Sequence, residues 1–207
     1  MIKGIIFDFD NVLIDSKKAT FSYYKKIFKH FKVKFPKGIK KKPLYTLTGK
    51  DNYKKFFAHI SKKEFYDYRK TIDYKKYIKK IKLTKGAKSI LKYLNKKKYK
   101  TAIATNRGST TQLLTDQLKI TKYFNIILTS KNLKKTKPDP YPINLAIKKL
   151  KLKKPEIIYV GDAMVDIKAG KSAKVNVALF KNKFKGADYY IENFKQIKKI
   201  IKMENNG

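Results

Sequence analysis

The chain has 207 residues, 42% of them hydrophobic, with fifty-three basic against fifteen acidic side chains and a formal net charge of +38. That length fits one medium domain or a domain carrying a smaller insert. Cysteine is absent, which excludes disulfides, thiolate metal sites and cysteine nucleophiles, and makes the cytoplasm the expected compartment. No apolar run reaches the roughly 18 residues of a membrane span, and Asp8 interrupts the short apolar N-terminus, so neither a membrane partner nor a signal peptide is expected.

Residues 2–8, IKGIIFD, read as a buried strand. The pattern then turns helical. FSYYKKIFKHF places Phe21, Tyr24, Phe28 and Phe31 at helical spacing, and DNYKKFFAHI does the same with Tyr53, Phe56, Phe57 and Ile60. SKKEFYDYRK opens with Ser61 and Glu64 at capping-box spacing. Gly38 and Pro43 punctuate a loop over 37–43. Residues 17–83 are thus expected to form an all-helical insert, and residues 1–16 with 84–207 the body around it. Fifteen of the chain's twenty-eight Phe and Tyr fall in the insert, where a small helical core needs bulky side chains.

Beyond the insert, helices and strands alternate. GAKSILKYLNKKK is a helix, KTAIAT a strand, STTQLLTDQLKI a helix and FNIILTS a strand. PINLAIKKLKL is a helix, EIIYVGD a strand and MVDIKAGKSAK a short helix, followed by the strands VNVALF and ADYYI. This alternation predicts a parallel α/β sheet. The insert then leaves the carboxyl edge, where such sheets bind ligands.

Four polar groups fall at the ends of predicted strands. Asp8 and Asp10 close the first, and the spacing of two is expected to aim both at one site. Thr105 and Asn106 close ATN, Lys137 lies in KTKPDP, and Asp162 follows VG with Asp166 four residues on. Carboxylates without thiols favour a hard cation such as Mg²⁺. Phosphoryl transfer needs positioning and charge neutralisation above all. A carboxylate nucleophile divides the reaction through an aspartyl-phosphate, and a second carboxyl can protonate the leaving oxygen and then deprotonate water.

Asp8-Phe9-Asp10, Thr105, Lys137 and Gly161-Asp162 with Asp166 resemble, in order, the four motifs of the haloacid dehalogenase superfamily. The branch most resembled is its helical-cap phosphatases of the phosphoglycolate phosphatase and pyrophosphatase kind, which KPDPYPINLAI, VGDAMVDIKAGKSA and ADYYIENFKQI also resemble. The resemblance covers 1–16 and 84–207; the insert matches in position and helical character alone. It implies a Rossmann-like core with a cap after the first strand, and a Mg²⁺-dependent phosphatase acting on a small phosphorylated metabolite. It implies Asp8 as nucleophile and metal ligand, Asp10 as general acid/base with its carbonyl on the metal, and Thr105 with the backbone of Asn106 as the phosphate clamp. Lys137 then steadies Asp8, Asp162 ligates the metal, and Asp166 ligates it or holds its water. The family's usual glycine after the second aspartate is here Asn11, which tolerates positive φ next best. A phosphomutase shares all four motifs and stays an alternative.

The remaining polar features have simpler readings. Asp15 and Ser16 are expected to cap a helix. His30 and His59 lack metal-ligand companions. Arg107 stays open between a substrate contact and a surface role. Only Arg69 and Arg107 among the basic residues are arginine. The lysine clusters at 40–42, 96–98 and 148–154 are expected on solvated surfaces. Their summed field favours anions and leaves weak, non-specific nucleic-acid binding, or an end-phosphatase, as the reading from another class.

Overall fold

The computed structural model describes residues 1–41, 43–47, 49–79 and 81–206; Lys42, the last lysine of the 40–42 cluster, lies outside them. The chain divides into two compact units, Met1–Asp15 with Lys82–Gly207, and Ser16–Ile81. Among the described residues no helix is long and apolar enough to cross a membrane.

The first unit is built on six parallel strands: β1 (Gly4–Phe7), β4 (Lys100–Ala104), β5 (Ile126–Leu128), β6 (Ile157–Gly161), β7 (Asn176–Phe180) and β8 (Tyr189–Ile191). Their order is β5-β4-β1-β6-β7-β8, and every neighbouring pair is parallel. Strands read as continuous apolar runs because both faces are covered. On one face Ile6, Ala102, Tyr159, Val177 and Leu179 pack with Ile143 and Ile147 of α8 (Tyr141–Leu150) and Ala169 and Ala173 of α9 (Met164–Ala173). The alternate residues Ile5, Ile103, Ile158 and Ala178 are fully buried on the other face. The helix α6 (Ala87–Lys96) packs along β4 and buries Ile90, Leu91 and Leu94 at helical spacing.

The chain runs from β1 outward through β4 to β5, then crosses to β6 on β1's other side. That reversal makes the carboxyl end of β1, flanked by β4 and β6, the switch point where open α/β sheets bind ligands.

The second unit contains α1 (Lys17–His30), a 3₁₀ turn (Gly38–Lys41), α2 (Pro43–Thr46), α3 (Gly49–Phe56), α4 (Lys62–Thr71) and α5 (Lys75–Ile78). Its core is aromatic. Phe28 meets Phe35, Phe56 and Phe57 edge-on at centroid distances of 5.1, 5.5 and 4.6 Å, and Phe57 and Phe65 are fully buried. Ser61 Oγ accepts a hydrogen bond from the Glu64 N–H at 3.1 Å, capping α4. Ser16 is the N-cap residue of α1, as expected, but its side chain makes no cap bond, and Asp15 ends a short strand instead. His30 stacks on Tyr68 at 3.5 Å, and His59 is exposed.

Two elements lie outside the sequence expectations. Lys82–Leu83, read as the end of the helical stretch, form the strand β3, which pairs antiparallel with β2 (Ile14–Asp15). Two residues are too few to show an alternation. The chain ends in α10 (Lys195–Asn206), which buries Ile197, Ile200 and Ile201.

Candidate active site

Asp8 follows β1, Thr105 follows β4 and Asp162 follows β6. Because these strands are adjacent, three residues distant in sequence meet at one edge. Asp8 is tied to the sheet by its N–H, which donates to the Val160 carbonyl at 2.8 Å, and Thr105 by its N–H to the Leu128 carbonyl at 3.0 Å. Oxygens of Asp8, Asp162 and Asp166 lie within 4.8 Å of one another, and all three side chains are buried.

Lys137 reaches this cluster from the loop after β5. Its Nζ donates to Asp8 Oδ1 at 2.7 Å, to Asp166 Oδ1 at 2.7 Å and to the Tyr159 hydroxyl at 2.8 Å. Asn106 fixes the backbone behind it: Nδ2 donates to the Lys137 carbonyl at 2.8 Å and Oδ1 accepts from the Lys137 N–H at 2.9 Å. The Asn106 side chain thus holds the lysine's loop, which the motif alone does not reveal.

Asp166 has no idle oxygen. Oδ1 accepts from Lys137 and from the Tyr159 hydroxyl at 2.6 Å, and Oδ2 accepts from the N–H groups of Asp162 and Ala163 at 3.1 and 3.0 Å. The carboxylate satisfies donors at the start of α9, where the helix dipole also favours a negative charge. This turn requires Gly161: a Cβ there would stand 2.3 Å from Asp166 Cβ.

Asp10 points elsewhere. β1 ends at Phe7, so strand alternation does not govern Asp8 and Asp10. Asp10 makes an isolated bridge to Ile14, and its oxygens accept a fork from Arg107: Nε to Oδ2 at 2.8 Å and Nη2 to Oδ1 at 2.6 Å. Arg107 is therefore a partner of Asp10, where the sequence left it between substrate contact and surface. Asn11 adopts φ 58°, the left-handed region in which asparagine is the best replacement for glycine. The Thr105 hydroxyl accepts from the Arg107 N–H at 3.0 Å, which leaves its own proton to donate.

Two further residues belong to the site. Tyr159 is fully buried and joins Asp166 to Lys137; a tyrosine within the apolar run EIIYVG was its signal, since a buried hydroxyl requires partners. Asn182, just past β7, donates from Nδ2 to the Asp162 carbonyl at 2.8 Å and carries no pattern visible in sequence.

The electrostatics are those of crowded carboxylates. Burial pushes the Asp8 carboxyl up to about 7, against Lys137, with Asp166 adding to the rise. Asp162 is raised well above the usual range by burial, then by Asp166 and Asp8. Burial alone would lower Lys137, but Asp166 and Asp8 prevail and hold it above its ordinary value, so it is a permanent cation. When all three clustered carboxylates are ionised, the one ammonium leaves a deficit of two positive charges. An oxygen-only donor set with that deficit fits a hard divalent cation.

Comparison with known proteins gives a consistent picture. The family model described as haloacid dehalogenase-like hydrolase matches residues 5–180. A pyrophosphatase PpaX of Halalkalibacterium halodurans is 27% identical over 91% of this chain and 87% of that protein. A phosphoglycolate phosphatase of Aquifex aeolicus is 26% identical, covering 86% of this chain and 84% of that one. Among solved structures, a β-phosphoglucomutase of Clostridium difficile aligns with a TM-score of 0.83 at 19% identity, over 100% of this chain and 98% of that chain; at that identity the likeness is one of fold.

Proposed function

Because this chain belongs to the haloacid dehalogenase-like hydrolase family, we propose that it is a Mg²⁺-dependent phosphatase that cleaves a small phosphorylated metabolite through an aspartyl-phosphate on Asp8. The observation that carries the reading is the meeting of Asp8, Asp162, Asp166 and Lys137 at the switch point of the sheet. The names of the relatives, pyrophosphatase and phosphoglycolate phosphatase, support the substrate class.

Asp8 attacks phosphorus, and Lys137 keeps it oriented through the 2.7 Å contact. The Thr105 hydroxyl and the backbone at Asn106 bind phosphoryl oxygens. Asp10 protonates the leaving oxygen and then takes the proton of the attacking water. Asp8, Asp162 and the Asp10 carbonyl would hold Mg²⁺, which when bound would neutralise charge on Asp8 and on the phosphoryl group. Asp166, its oxygens already accepting four donors, serves by fixing Lys137 and the Asp162 backbone. The helical unit, Ser16–Ile81, corresponds to the family's cap and contributes to substrate choice. The surface lysines draw anions toward the enzyme and hold nucleic acid only loosely.

The test is a phosphate-release screen with and without Mg²⁺ over phosphoglycolate, pyrophosphate, sugar phosphates, nucleotides and phosphorylated oligonucleotides. Mg²⁺-dependent release from at least one small substrate is expected. Release from none, or release unaffected by chelator, overturns the proposal. Isomerised sugar phosphate with retained phosphate would identify a phosphomutase instead.

A further inference from the structure

Arg107 holds Asp10 in a way that conflicts with the work assigned to it. The guanidinium donates to both carboxylate oxygens, at 2.8 and 2.6 Å, and its Nη1 donates to Thr110 Oγ1 at 3.0 Å. The arginine side chain is 8% exposed and the aspartate 29%. Both carboxylate oxygens are thus turned to the guanidinium and held there. Asp10 in this arrangement is stored rather than poised.

A planar fork that fits one carboxylate fits another carboxylate or a phosphate equally well. Fifty-one of the fifty-three basic residues are lysine, which cannot replace that geometry, and Lys137 is committed to Asp8 and Asp166. We propose that Arg107 is the specificity residue of this site: it selects substrates bearing a second anionic group beside the scissile phosphate, because that group takes the fork from Asp10 and releases the acid. The class is phosphomonoesters with a carboxylate, or a second phosphate, next to the bridging oxygen. This inference rests on the phosphatase reading and on Asp10 as its acid/base.

The chemistry closes as follows. Released Asp10 takes a proton from solvent. As the bond from Asp8 to phosphorus forms, the bond to the leaving oxygen breaks, and that oxygen receives the Asp10 proton. Water then attacks phosphorus, its proton passes to Asp10, and the Asp8–phosphorus bond breaks to release phosphate. Asp10 returns that proton to solvent, and departure of the anionic product lets Arg107 take up the Asp10 carboxylate again.

The experiment compares kcat/KM for 2-phosphoglycolate and ethyl phosphate, similar in size and differing by one carboxylate, in the wild type, Arg107→Gln and Arg107→Lys. The wild type should favour 2-phosphoglycolate by about ten- to hundredfold, the scale of one charge-assisted contact. Arg107→Gln should bring that ratio to within about threefold, its loss falling mainly on 2-phosphoglycolate. Arg107→Lys, which keeps the charge, should give an intermediate ratio and decides the matter if the glutamine variant fails to fold. Equal losses on both substrates, or an undiminished preference in either folded variant, would overturn the role of Arg107 and leave the phosphatase reading standing. A wild type that releases phosphate from neither these nor any other ester refutes that reading, and this inference with it.

Discussion

Lys137 and Asp8 stand 129 positions apart in the chain, yet the lysine Nζ lies 2.7 Å from Asp8 Oδ1 in a buried contact. The same nitrogen reaches Asp166 and Tyr159. Removing it leaves two carboxylates facing each other without a cation. Lys137→Met is expected to destabilise the fold by about 3–5 kcal/mol, as when one partner of a buried pair is lost. Tyr159→Phe, which deletes one hydroxyl shared by Lys137 and Asp166, should cost about 1–3 kcal/mol. Urea denaturation reads both. Unchanged midpoints would mean that the network contributes nothing to folding.

Gly161→Ala tests the turn that lets Asp166 reach back. The added carbon would lie 2.3 Å from Asp166 Cβ, whereas at Gly108 the nearest atom to an added carbon is Ser130 Oγ at 3.5 Å, an ordinary contact. Gly161→Ala should lose about 1–3 kcal/mol, the usual range for overpacking, and most of its phosphatase activity, while Gly108→Ala stays near wild type in stability. Equal behaviour of the two would show that Asp166 moves aside freely.

How much of this was visible beforehand varies with the kind of residue. Asp8, Thr105, Lys137 and Asp162 lie at or beyond strand ends, and a strand-helix alternation makes strand ends predictable, so their meeting at one sheet edge could be argued from pattern alone. The Asp10–Arg107 fork could not. It depends on the chain leaving β1 at Phe7 and turning through Asn11 at φ 58°, and a side-chain direction after a strand end follows no periodicity. Asn106 was placed by its neighbour Thr105, but its grip on the Lys137 backbone joins residues 31 positions apart. Asn182 acts on a carbonyl, an acceptor every residue possesses, so nothing in the sequence marks the pair.

The raised carboxylates give a pH dependence of known sign. Asp8 is shifted from 3.8 to about 7 and Asp162 moves the same way. Between those values the folded chain binds more protons at these sites than the unfolded chain, so stability falls as pH rises. In chelator, the melting temperature should be lower at about pH 7.5 than at about pH 5, and Mg²⁺ should restore most of the difference at the higher pH. A melt at the higher pH that ignores Mg²⁺ would remove the cation from the account.

The charge of +38 should act on encounter and not on chemistry. Attraction between exposed charges is screened over about 8–10 Å near physiological salt, while Lys137 and the carboxylates are buried around the reaction. Between about 50 and 200 mM salt, kcat/KM should fall, most steeply for multiply charged substrates, with kcat nearly constant where chemistry limits turnover. Oligonucleotides should bind loosely at the low end and dissociate at the high end. A flat kcat/KM with no oligonucleotide binding would reduce the lysines to surface decoration.

The central claim is a covalent phosphoryl group on Asp8, and rapid-quench labelling measures it directly. The enzyme is mixed with a phosphate-labelled substrate and Mg²⁺, stopped in acid within milliseconds, and its peptides are mapped by mass spectrometry. The account predicts label on the peptide carrying Asp8, stable in acid and released by hydroxylamine. Asp8→Asn should show none and should lose about a thousandfold or more of turnover, with an unchanged circular dichroism spectrum. Label on another residue, or full turnover in a folded Asp8→Asn protein, would contradict it.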